Sequence, residues 1–130
     1  MKTAAINNPS FDEELKNCFD RDELFALILA SEILPEPDRS ERIKKILGRS
    51  SDLGNLRDYQ CICDHLRLTP IITDLEKIRD KNIRDGNLEI VEECAELLAQ
   101  KITRDEYENM FFYFLNQGWQ EKAQTVLNKL

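Results

Sequence analysis

The sequence predicts an all-α protein of seven to eight helices folded as about four helical hairpins, and three observations carry that prediction. Apolar residues recur at i, i+3, i+4 and i+7 through most of the chain, and no segment sustains the strict alternation of a half-buried strand. Glycine and proline are scarce, four of each in 130 residues, and they fall between the periodic segments. A spacing of 32 residues relates those segments. It places Asp22, Gly54, Gly86 and Gly118 in one column at the turns, Phe11, Ile43, Leu75 and Tyr107 early in each first helix, and Leu34, Leu66, Leu98 and Leu130 late in each second helix. A lone hairpin cannot cover its own apolar stripe, so stacked hairpins must share one core.

Each element follows from local signals. Ser10 with Glu13 forms a capping box that opens a short helix running to Phe19. Asp20 with Glu23 opens a second, which turns Leu24, Leu27, Ile28, Ser31 and Leu34 inward and stops at Pro35 and Pro37. Asp38 or Ser40 caps a third, with Ile43, Ile46 and Leu47 inward and a frayed end from Gly48 to Ser51. The fourth runs from Gly54 to Leu66 with Leu56, Tyr59, Ile62, Cys63 and Leu66 on its inner face. Thr69 caps the fifth and Pro70 sits in its first turn, ahead of Leu75, Ile78 and Ile83.

Gly86 ends that helix, and Asn87 caps a sixth that carries Leu88, Val91, Ala95 and Leu98 on one face. Thr103 with Glu106 is a second capping box, opening a seventh helix, YENMFFYFLNQ, apolar over most of its circumference and therefore expected to be buried. Gly118 closes it, and Trp119 to Leu130 form the eighth. The expected units span 9–36, 38–68, 69–101 and 102–130 of a single repeat domain.

Composition narrows the function. With 25 acidic against 18 basic residues the net charge is −7, which opposes a phosphate backbone. The one basic cluster is Arg39, Arg42, Lys44, Lys45 and Arg49, which reads as a solvated helix face, with a small nucleic-acid-associated regulator as the alternative. The N-terminal stretch MKTAAINNPS lacks the apolar run of a signal peptide, and no stretch approaches the roughly 20 apolar residues that span a bilayer, so the expectation is a cytoplasmic protein with no membrane partner. Cys18, Cys61, Cys63 and Cys94 lie within apolar helical patterns, which suits free, buried thiols better than disulfides.

The string CICDH, with Cys61, Cys63 and His65, is the one metal-like constellation. On a helix Cys61 and His65 share a face while Cys63 points away, so three ligands do not converge. A metal-binding or catalytic protein built on Cys61 and His65 is a third reading. The chain has a single histidine, no nucleophile paired with it and no phosphate-cradling glycine loop, so no enzyme, metal or cofactor is expected.

The fourth unit, with Tyr107, Met110, Phe111, Phe114, Gly118, Ala123, Leu127 and Leu130, resembles a tetratricopeptide repeat, and QGWQEKAQTVLNKL is similar to that family's second helix. The third unit matches at Leu75, Ile78, Gly86, Ala95 and Leu98, with Val91 where alanine is usual. The period departs from the family's 34 residues. Leu15, Leu47, Arg79 and Phe111 replace the small residue of the first helix, and Glu14 makes unit one a degenerate cap. GNLEIVEE is also similar to the second helix of an ankyrin repeat, but the stretch from Thr69 to Gly86 is too long for that family's first helix.

The tetratricopeptide resemblance implies a right-handed α-α superhelix, an α-solenoid whose first helices line a groove for a peptide or a partner helix. Carried over residue by residue, the groove comprises Lys44, Glu76, Asp80, Arg84, Glu108, Phe112 and Asn116. Its acidic lining favours a basic or amphipathic ligand. Phe112 and Trp119 additionally form a candidate oligomer surface, through which the C-terminal hairpin would make a homodimer. The expected function is that of a protein-interaction module or adaptor.

Overall fold

A computed structural model describes residues 10–130. They form eight α-helices and, among the described residues, no strand. The helices are α1 (Phe11–Lys16), α2 (Arg21–Glu32), α3 (Asp38–Leu53), α4 (Leu56–Leu66), α5 (Ile72–Asp85), α6 (Leu88–Leu97), α7 (Arg104–Asn116) and α8 (Gln120–Leu127). The chain divides into two compact units, Met1–Thr69 and Pro70–Leu130. The segment on which the expectation about targeting rests, residues 1–9, lies outside the described residues.

In the first unit α2 packs on α3, α3 packs on α4, and α2 also touches α4. Their shared core holds Leu24, Ile28, Ile46, Leu47, Leu56, Tyr59, Ile62 and Cys63. The short α1 lies against α3. Leu15 is its one buried helical residue, too little apolar surface to hold six residues in place. Basic side chains of α3 supply the rest. Arg42 stacks over the Phe11 ring at 4.7 Å, and Lys45 pairs with Asp12 at 3.0 Å. Arg49 donates to the carbonyls of Lys16 and Cys18 at 3.0–3.1 Å and covers the Phe19 ring.

Two boundaries of α3 differ from the sequence expectation. Its start is capped from outside: Pro37 occupies the N-cap position without a side-chain bond, and the Glu36 carboxylate accepts from the Ser40 amide at 3.0 Å and the Ser40 hydroxyl at 2.6 Å. Those bonds hold the Glu36 carboxyl below the usual range. Asp38 and Ser40 therefore lie inside the helix. Its end does not fray at Gly48 to Ser51, because Ser50 and Ser51 are buried and the Ser51 hydroxyl donates back to the Gly48 carbonyl at 2.8 Å. Termination waits for Gly54 at φ 77°, a left-handed backbone that glycine adopts without steric cost.

In the second unit α5 packs on α6 and α7 packs on α8. One apolar cluster joins the two hairpins, with Leu88 and Val91 from α6, Met110 and Phe114 from α7, and Ala123 and Val126 from α8. Hydrogen bonds cross the same junction: Tyr107 donates to Glu92 at 2.8 Å and Tyr113 to the Arg84 carbonyl at 3.2 Å. Glu92 also pairs with Lys129 at 3.4 Å, so it ties α6 both to α7 and to the residues after α8.

The caps in this unit are mixed. Thr103 and Glu106 form the full reciprocal box. Thr69 does not cap α5, and Pro70 is not in its first turn: Ile71 stands at the N-cap without a side-chain bond, and the buried Asp74 supplies the negative charge that a first turn favours. Asn87 stands at the N-cap of α6 but spends its side chain elsewhere. Its amide donates to Asn82 at 3.1 Å, and Asn82, itself buried, donates to the Ile78 carbonyl at 2.7 Å. A buried amide without partners is costly, and the Asn82–Asn87 contact removes that cost.

Burial recurs at the 32-residue spacing, in different columns from those the sequence singles out. Ile46, Ile78 and Met110 are all buried; so are Ser50, Asn82 and Phe114, then Tyr59, Val91 and Ala123, then Ile62, Cys94 and Val126. The leucine column is not core. Leu34, Leu66 and Leu98 are half-buried and Leu130 is exposed, since they sit at or just beyond helix ends. Before residue 32 the pattern holds at one column only: Cys18 is buried, whereas Leu27 is half-buried, Glu14 and Ala30 are exposed, and Asp22 lies in the first turn of α2, not at a turn between helices. Nor is α7 wholly buried: Met110 and Phe114 face the core, while Phe112 is 59% and Leu115 44% exposed. Among the described residues no helix is long and apolar enough to cross a membrane.

Candidate functional site

The expected groove residues of the second unit form two stripes. Glu76, Asp80 and Arg84 recur every fourth residue along α5, and Glu108, Phe112 and Asn116 do the same along α7, so each trio shares one helix face. Asp80, Arg84, Phe112 and Asn116 are exposed, and Glu76 and Glu108 half-buried. The bond from Tyr113 to the Arg84 carbonyl brings α7 against the C-terminal end of α5. Asp80 pairs with Arg79 at 3.5 Å and Glu108 with Arg104 at 3.2 Å. Glu76 and the Arg84 guanidinium make no ion pair among the described residues. Lys44, in the first unit, is exposed and likewise unpaired.

The other members of the basic cluster are engaged within their own unit. Arg39 pairs with Glu36 at 3.3 Å, and Arg42, Lys45 and Arg49 strap α1 to α3. Trp119, expected beside Phe112 on an oligomer surface, is half-buried and turned inward. Its ring lies 5.9 Å from that of Phe114 and 6.3 Å from that of Tyr113, and Lys122 covers it at 5.7 Å. Of that pair, Phe112 is the side chain left to solvent.

Cys61 is exposed, on the face opposite the buried Cys63, while Cys18 and Cys94 are buried, and all four are free. Arg21 lies 3.8 Å from the Cys61 sulfur, whereas His65 faces Glu32 at 3.2 Å and meets the Phe25 ring edge-on. The CICDH residues thus have separate surroundings. Burial pushes the Cys94 thiol up to about 11, against a smaller opposing pull from Arg79. Burial and then the bond to Glu92 push the Tyr107 phenol up to about 12.

Sequence reasoning missed a half-open cavity of about 310 Å³ lined by α5, α6, α7 and the loop between α6 and α7. Val91, Ala95 and Met110 are buried at its base, with Ile83, Ile102 and Tyr113 half-buried along its walls. Arg79, Gln100, Lys101, Glu106 and Asn109 stand around its rim. The one sequence signal was Arg79, which occupies the column position where the other units place Leu47 and Phe111. Its guanidinium turns to Gln100 at 3.0 Å, and apolar volume is left open beside it.

No family model, curated protein or solved structure matches the chain.

Proposed function

We propose that this chain is a helical-hairpin interaction module, an adaptor that binds a basic amphipathic segment of a partner protein across the exposed faces of α5 and α7. The observation that carries this reading is Phe112, a large aromatic 59% exposed at the centre of the Glu108–Phe112–Asn116 stripe. Its ring meets Phe111 edge-on at 5.3 Å, and aromatic side chains of this kind serve as interface anchors by filling a pocket on the partner. Of the acids on the two stripes Glu76 is the unpaired one, Asp80 and Glu108 being matched by Arg79 and Arg104, and it is the net charge of −7 that favours a basic partner at long range.

The shared burial register at Ile46, Ile78 and Met110 and at Tyr59, Val91 and Ala123 supports a tetratricopeptide-like repeat as the scaffold. Engagement of Arg39, Arg42, Lys45 and Arg49 inside their own unit supports a protein ligand over a nucleic acid. The module works in the cytoplasm by binding, without chemistry of its own.

Fluorescence anisotropy with a labelled synthetic helix carrying leucine on one face and lysine on the other tests the reading. Wild-type protein binds, and Phe112→Asp weakens binding at least tenfold, which is about 1.4 kcal/mol. Equal affinity for the two proteins at matched ionic strength would refute the site.

A further inference from the structure

The cavity of the second unit has no place in the proposed interaction, since neither Phe112 nor the α5 stripe lines it. Its chemistry is graded. The base and walls are aliphatic and aromatic, from Val91, Ala95, Met110, Ile83, Ile102 and Tyr113. At about 310 Å³ it lies at the small end of ligand pockets, which run from about 300 to 1,000 Å³, so it suits a short apolar body and not a long lipid.

Hydrogen-bond donors dominate the rim. Arg79 is held in place on two sides, its Nη1 donating to the Gln100 carbonyl oxygen at 3.0 Å and its Nε pairing with Asp80 at 3.5 Å, and the Gln100 amide nitrogen is free to donate. Lys101 is exposed and makes no ion pair among the described residues, and the Asn109 side chain is likewise unengaged. The one carboxylate on the rim, Glu106, is turned to the helix cap through one oxygen, Oε1, which accepts from the Thr103 amide and hydroxyl, each at 3.0 Å. Lys101 is therefore the rim's unpaired cation, with Arg79 shared with Asp80 and the two amides beside it, against the single carboxylate of Glu106.

We infer that this cavity is a small-molecule site for a medium-chain carboxylate, with the hydrocarbon seated on Val91, Ala95 and Met110 and the carboxylate held by Lys101 and Arg79. Apolar burial supplies affinity, and charge-assisted hydrogen bonds at the rim fix orientation. An uncharged alcohol of the same length gains only the first contribution. The inference stands independently of the interface on α5 and α7.

Titration of the full chain with octanoate and with octanol, followed by methyl NMR shifts of Ile83, Ile102 and Met110, tests it. Octanoate is expected to shift these methyls saturably and to bind at least tenfold more tightly than octanol. Lys101 is on an exposed loop, so Lys101→Glu leaves the fold intact; it weakens octanoate binding about tenfold and leaves octanol unchanged. No saturable methyl shift with octanoate, equal affinity for octanol, or undiminished octanoate binding by Lys101→Glu would each overturn the inference.

Discussion

Gly86 and Gly118 occupy the same left-handed backbone, at φ 78° and 81°, yet their surroundings differ. A Cβ on Gly86 would meet the Trp119 ring and the Lys122 stem at 2.8 Å, while one on Gly118 would meet nothing within 4 Å. Gly118→Ala therefore costs roughly 1–2 kcal/mol, the strain of a left-handed alanine, and Gly86→Ala costs clearly more, because the indole must also move. Urea denaturation of the two variants checks the order. The converse holds at Ala99, which adopts φ 54° beyond the end of α6. Ala99→Gly removes strain but loosens the unfolded chain, for a net gain of up to about 1 kcal/mol. A lower denaturation midpoint for that variant would contradict the assignment.

At the scale of elements, α1 depends on charge and α6 on burial. Removing the Arg49 guanidinium with Arg49→Met withdraws its bonds to the Lys16 and Cys18 carbonyls, so amides of residues 11–16 should exchange faster while those of the second unit keep their protection. Within α6, Val91 is 1% exposed and Leu98 half-buried at the helix end. Val91→Ala is accordingly expected to destabilise more than Leu98→Ala, although leucine is the larger side chain. The helices themselves were legible from periodicity, and the caps at Ser10, Asp20 and Thr103 stand where the sequence places them, because each depends on contacts within one turn. What escaped the sequence depends on contacts across elements. Glu36 reaches into the start of α3, Asn87 turns to Asn82 and away from its own helix, and the cavity is lined from three helices and a loop, with Arg79 bonded to Gln100 across it. The leucine column misled for a further reason: one residue type at one spacing says nothing about whether a position falls mid-helix or at a fraying end.

For the whole molecule, alkaline pH should act mainly through the second unit. The Cys94 thiol stays neutral in the fold up to about 11, against an ordinary value of 9.0, and Tyr107 is raised in the same direction. An unfolded chain thus loses these protons first as pH rises. The Cys94 contribution is complete below pH 9 and disappears as pH climbs toward 11, a loss of about 2–3 kcal/mol, and the Tyr107 contribution is lost between pH 10 and about 12. Urea midpoints across that interval measure it, and Cys94→Ala should flatten the profile. The central claim, a partner surface on α5 and α7, is tested most directly by amide chemical-shift mapping of the full chain with the basic amphipathic helix. The account predicts perturbations concentrated at residues 76–84 and 108–116, with Phe112 among the largest. Perturbations centred on Arg39 to Arg49, or elsewhere outside α5 and α7, would contradict it.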